Sequence, residues 1–108
     1  MVKQRFPVIW EDEAKNSLRR IYNYIKNRES VIQAKKVRNA IKELAGSLGF
    51  LPRKFAKDPF LEKESGEFRF KAIWSYKIVY EITESEVIIL DIFHTSRNPK
   101  EIKQKKRR

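Results

Sequence analysis

The sequence predicts an α+β domain in the order strand, helical hairpin, three-stranded antiparallel meander, with the helices packed on one face of the sheet. Two observations carry this. The spacing of apolar residues changes from two to 3.6 and back to two along the chain, and a helix-start signal falls in the middle of the 3.6 region. The N-terminal strand comes from residues 2–10, where Phe6, Val8 and Trp10 alternate; Pro7, lacking an N–H, suits an edge or an irregular start.

The first helix is expected over residues 13–28, because Ala14, Leu18, Ile21, Tyr22 and Ile25 recur on one face. Acidic Glu11, Asp12 and Glu13 precede it and basic Lys26 and Arg28 close it, in the sense the helix dipole favours. Ser30 and Gln33 fit a capping box that starts a second helix, whose stripe is Ala34, Val37, Ile41, Leu44, Ala45 and Leu48. Gly46, Gly49 and Pro52 supply its stop signals. With Glu29 alone between them, the two helices should form an antiparallel hairpin. Lys35, Lys36, Arg38 and Lys42 fall largely off the stripe and make a basic outer surface.

Residues 50–66 hold Pro52, Pro59 and Gly66 without a sustained period, and read as a loop anchored by Phe55, Phe60 and Leu61. Three runs of aromatic and β-branched residues follow, at 67–74, 76–82 and 86–93. Thr83, Glu84 and Ser85 turn the chain between the last two; Ser75 alone separates the first two, so that boundary is left open by a residue or more. Alternation predicts a one-sided meander, with Phe68 and Phe70 toward the helices and Arg69 on the open face.

Composition narrows the class further. The chain has 25 basic and 14 acidic residues, a formal charge of +11 over 108 residues. Residues 1–66 carry +7, residues 67–97 carry −1 and residues 98–108 carry +5. Basic charge thus decorates a nearly neutral scaffold, which suits nucleic acid, a ribosomal surface or an acidic protein, or serves solubility. No Cys and a single His exclude disulfides, thiolate zinc sites and His-based metal clusters, and no cofactor is expected. The longest aliphatic run, Val87 to Leu90, is far too short to cross a membrane and no signal peptide is visible, so a soluble cytoplasmic protein is expected. Residues 1–99 form one domain and residues 100–108 a basic tail.

In order and spacing, these pieces resemble the RelE/ParE superfamily of type II toxin-antitoxin toxins. The residues concerned are the Ala14 to Ile25 stripe, the Val37 to Leu48 helix, Phe68-Arg69-Phe70, the run from Tyr76 to Ile82, the run from Val87 to His94, and Arg97-Asn98-Pro99. The resemblance implies a toxin neutralised by a cognate antitoxin, and either of two activities: ribosome-dependent mRNA cleavage, as in RelE-like members, or inhibition of DNA gyrase by binding, as in ParE-like members. Its partner is then gyrase, or the ribosome with mRNA. A member that has lost toxicity and serves as a binding module is a third possibility.

Metal-free RNA cleavage needs a base for the 2′-hydroxyl, cations for the phosphorane and an acid for the leaving oxygen. By the resemblance, Arg69 matches the strand arginine of RelE-like nucleases and His94 a catalytic His of some members. Arg97 supplies a further cation, with Lys71 and the loop residues Lys54 and Lys57 as supplements. The tail residues Lys103, Lys105, Lys106, Arg107 and Arg108 are candidates for phosphate or target contacts. Structural alternatives stand beside these: Arg69 pairing with Asp91 or Glu81, and His94 capping its strand. His94 shares parity with Ile88, Leu90 and Ile92, the side assigned to the helices, so it meets Arg69 only if the last strand bulges or ends early. The close His94-x-x-Arg97-x-Pro99 resembles ParE-like members, and the aromatic that some nucleases place after this point is missing.

Overall fold

A computed structural model of the chain describes residues 5–61 and 63–96. Arg97 and the tail residues Lys103, Lys105, Lys106, Arg107 and Arg108 lie outside the described residues. The elements are β1 (Val8–Trp10), α1 (Asp12–Arg28), α2 (Val31–Ser47), a 3₁₀ turn (Pro52–Lys54), β2 (Glu67–Ile73), β3 (Tyr76–Ile82) and β4 (Val87–His94). The expected α+β architecture is the observed one.

Local chemistry sets the helix ends. The Ser30 hydroxyl accepts the Gln33 N–H at 3.0 Å, so the serine half of the capping box starts α2, and α1 has Asp12 and Glu13 in its first turn and Lys26 and Arg28 in its last. Helix α2 ends where the chain must pass another backbone: Phe6 N–H donates to the Gly49 carbonyl at 2.8 Å. A Cβ on Gly49 would run into the Phe6 carbonyl oxygen, so this approach requires glycine.

The sheet order is β1-β4-β3-β2, with β2, β3 and β4 antiparallel neighbours. β1 lies on the outer side of β4 and runs parallel to it, Val8 opposite Val87 and Trp10 opposite Ile89. The sheet is therefore mixed, because a strand followed by a two-helix crossover returns in its original direction. Pro7 fits this edge, its carbonyl accepting Val87 N–H at 3.0 Å.

The main core lies between hairpin and sheet, where Ala14, Ile25, Val37 and Ile41 meet Ile78, Tyr80, Ile89 and Ile92. The opposite sheet face corrects the one-sided expectation. Leu61, Val79, Leu90 and Phe93 form a second apolar cluster there with Phe68 and Phe70, so the phenylalanines of β2 point away from the helices. Residues 56–58 run along the free edge of β2, Phe70 N–H donating to the Ala56 carbonyl at 3.1 Å and Asp58 N–H to the Phe68 carbonyl at 2.9 Å. On this face the Lys77 ammonium lies 3.2 Å from Asp58 Oδ2 and 4.5 Å from the Phe70 ring centre. Among the described residues, no helix is long and apolar enough to cross a membrane.

Candidate functional site

Strand β4 carries one extra residue, and this decides which way His94 points. Residues 87–89 pair with 82–80, residues 91–94 pair with 79–76, and Leu90 is left over as a bulge. Before the bulge Val87 and Ile89 face the helices and Leu90 faces away; after it Ile92 faces the helices and His94 lies opposite Tyr76 on the same side. Ile88 and Leu90 thus do not share the side assigned to them from the sequence, whereas Ile92 and His94 do. The edge of one ring meets the face of the other in the Tyr76–His94 pair, with centroids 5.6 Å apart and planes at 84°.

This pair lines a cleft of about 870 Å³ bounded by the second half of α1, the start of α2, the β2–β3 turn and the end of β4. Tyr24 and Trp74 are exposed at its rim, and Trp74 holds a left-handed backbone conformation (φ 53°). Arg20, Lys36 and Glu29 add charge. The Arg20 guanidinium donates to Ser17 Oγ at 3.0 Å and reaches Glu13 at 3.4 Å.

Two polar groups of the cleft, on Tyr76 and His94, are set up as donors. Burial, followed by the charges of Tyr24 and Glu29, raises the Tyr76 phenol above its ordinary range, so its proton stays on at neutral pH. His94 Nδ1 accepts the Ser96 N–H at 3.2 Å and lies 2.9 Å from Ser96 Oγ, which leaves the proton of the neutral ring on Nε2. The cleft combines apolar walls, aromatic rims and charges of both signs, a surface suited to gripping a protein segment.

Arg69 lies elsewhere. It pairs with Tyr80 across β2 and β3, and Tyr80 belongs to the helix-side core, so Arg69 is on the helix side and not on the open face. Its side chain is 13% exposed. It donates to the Phe55 carbonyl at 2.6 Å and to Glu67 Oε2 at 3.0 Å, so the partner is Glu67 in place of Asp91 or Glu81. Burial alone would raise the Glu67 carboxyl; the hydrogen bond from Arg69, with the charge and hydrogen bonding of Arg53, outweighs this and holds it below its usual range. Tyr80 closes the same corner, its hydroxyl donating to the Pro52 carbonyl at 2.8 Å, and burial pushes its pKa up to about 12.

Arg69 and His94 are separated by two inter-strand spacings and four residues of register, which puts their Cα atoms roughly 16 Å apart at ordinary sheet spacings. Lys54 and Lys71 gather with Arg69, their ammonium groups 5.1 and 4.8 Å from the centre of the Phe55 ring, and exposed Lys57 bridges to Arg69 through its backbone. The candidates thus divide into a cationic corner around Phe55 and the cleft around His94. Sequence reasoning missed Tyr24, Trp74 and Arg20 as cleft residues. The signal for Trp74 was its place beside Ser75 in a two-residue turn, where a large aromatic does nothing for the turn itself.

A family model described as the ParE toxin of a type II toxin-antitoxin system, parDE, matches residues 8–99. Among solved structures, a chain from the chromosomal ParDE TA system of P. aeruginosa is similar with a TM-score of 0.72 at 20% identity, over 84% of this chain and 97% of that one. That likeness is one of fold. No curated protein has significant sequence similarity to the chain. The match over most of its length, on the architecture described above, means that the chain belongs to the ParE toxin family of type II toxin-antitoxin systems, which implies a cognate antitoxin as partner.

Proposed function

We propose that this toxin arrests growth by binding DNA gyrase, using the cleft between Tyr24, Trp74 and His94 as its main contact surface, and that it does not cleave RNA. The observation that carries this reading is the state of Arg69. Nuclease chemistry of the RelE type needs a strand arginine free to meet a phosphate beside an acid or base. Here the guanidinium is taken up by Glu67 and the Phe55 carbonyl, and it lies two strands from His94. A donor-rich cleft with an aromatic rim serves recognition without any catalytic constellation.

Two assays with the purified, folded chain test this. Gyrase supercoiling of relaxed plasmid is expected to be inhibited in proportion to toxin, and inhibition is expected to be lost when Tyr24 and Trp74 are both changed to Ala. Primer extension on a reporter mRNA in a cell-free translation reaction is expected to show intact message. Ribosome-dependent breaks at fixed positions would overturn the proposal and make His94, Arg97 and Arg69 the residues to mutate next.

A further inference from the structure

A second concavity is lined by residues of β1, α1 and α2 and shares none of them with the His94 cleft. It has a volume of about 480 Å³, and its floor is Trp10, Leu18 and Tyr22. Four cations surround it: Lys15 and Arg19 from α1, Arg38 and Lys42 from α2. No carboxylate lines it, and among the described residues none of the four takes part in an ion pair. Arg19 donates to Asn16 and Arg38 to Asn39, both neutral, and the Arg38 guanidinium lies over the Tyr22 ring at 5.0 Å.

Such an arrangement costs something in isolation. Four like charges around an apolar floor repel one another, and no anion among the lining residues compensates them. The two cations on each helix are four residues apart, about 6 Å along the axis, and the helices themselves pack about 8–10 Å apart. Together they frame a short positive channel with an aromatic base. Trp10, at the end of β1, is half-buried and lines the groove, where an unpaired base can reach its ring. The bases of a duplex are stacked on one another and present only their edges in the grooves, so they cannot.

The geometry points to this groove as a binding site for single-stranded nucleic acid, with phosphates held by Lys15, Arg19, Arg38 and Lys42 and a base packed on Trp10. The site is separate from the cleft assigned to gyrase, so either assignment can fail without the other.

The chain has two tryptophans, and Trp74→Phe leaves Trp10 as the only indole. Titrating that variant with a short oligothymidylate is expected to quench Trp10 fluorescence, with log affinity falling linearly against log salt concentration. Arg38→Gln with Lys42→Gln is expected to weaken binding by about tenfold or more and to make the salt slope shallower by about 1.4, since each phosphate contact on a single strand contributes about 0.7. Lys15→Gln with Lys42→Gln changes two exposed side chains and serves as the second variant should Arg38→Gln perturb the fold, which circular dichroism reports. Binding with unquenched Trp10, and with an affinity and salt slope unaffected by both variants, would overturn the proposal and assign binding to another basic region. Displacement of the oligonucleotide by a duplex of equal length at equal or lower concentration, or a Trp10 response to an acidic peptide and none to the oligonucleotide, would overturn it equally.

Discussion

Ser17 on α1 donates a 2.6 Å hydrogen bond to Oδ1 of Asp91 in β4, a clamp between two buried groups 74 residues apart. The same oxygen accepts the Ile92 N–H at 2.8 Å, and Oδ2 has no partner among the described residues. Asp91 follows the bulge residue Leu90, so the clamp fixes the helix against the point where β4 changes face. Removing the hydroxyl with Ser17→Ala leaves a buried carboxylate short of a donor and is expected to cost about 1.5–3 kcal/mol. Urea denaturation measures this. The double variant with Asp91→Ala should cost clearly less than the sum of the two single changes; strict additivity would mean that the two residues do not act together.

Arg69 is a structural residue under the binding reading. Arg69→Ala leaves the Phe55 carbonyl and Glu67 without their donor and is expected to destabilise the fold by about 2–3 kcal/mol. His94→Ala is expected to leave the fold stable. Gyrase inhibition, compared per folded molecule, should survive the Arg69 change. A variant that folds as well as the parent and yet loses all toxicity would reverse this assignment.

Two carboxyls pull the pH profile in opposite directions. Glu67 has a folded-state pKa below its unfolded value, so its contribution is present above about pH 4.3 and is lost as the pH falls through the folded value. In Glu81, burial and then the charge of Glu11 raise the pKa, so its contribution is present below the unfolded value and lost as the pH rises through the folded one. Thermal melts between pH 3 and 7 should therefore show Glu67→Gln flattening the acid loss, and Glu81→Gln raising Tm at neutral pH. The same profile in the parent and both variants would refute the scheme.

Gly46 and Gly49 stand three residues apart and should respond in opposite ways. A Cβ at Gly46, inside α2, meets nothing within 4 Å, so Gly46→Ala is expected to stabilise by about 0.5–1 kcal/mol through helix propensity. Gly49→Ala drives a methyl into the Phe6 carbonyl and the Val8 side chain and is expected to destabilise by about 1–3 kcal/mol. Chemical denaturation of the two variants against the parent decides both signs.

On the second sheet face, Lys77→Ala would strand Asp58, which is buried and paired with that ammonium at 3.2 Å. Loss of one partner of a buried pair is expected to cost about 3 kcal/mol, and Asp58→Asn added to it should restore part of the loss. A Tm unchanged by Lys77→Ala would show that the cation contributes nothing there.

Much of this architecture was legible because local chemistry encodes it. Ser30 caps α2 as the S-x-x-Q spacing demands, and the stripes of α1 and α2 are the faces they bury. The bulge was not legible: residues 87–90 are all apolar, so alternation carries no mark of where parity changes. The face of Arg69 was misread for a related reason. Phe68 and Phe70 are equally at home in either of two apolar clusters, and the choice rests on residues 56–58 folding back along β2, a long-range event. The cleft was half legible, since His94 stood out as the single His, while Tyr24 looked like the end of a stripe and Trp74 like the end of a strand.

The place of β4 in the sheet also bears on how the toxin is made. It is the last strand of the described chain, yet it lies between β1 and β3, and both the hairpin core and the Ser17 clamp close on it. During synthesis, the helices and the β2–β3 pair leave the ribosome before the strand that unites them exists. Pairing of Val8 with Val87 must wait until nearly the whole described chain has emerged. An interrupted chain ending before Val87 therefore has no centre to its sheet and should be digested by protease as an unfolded polypeptide.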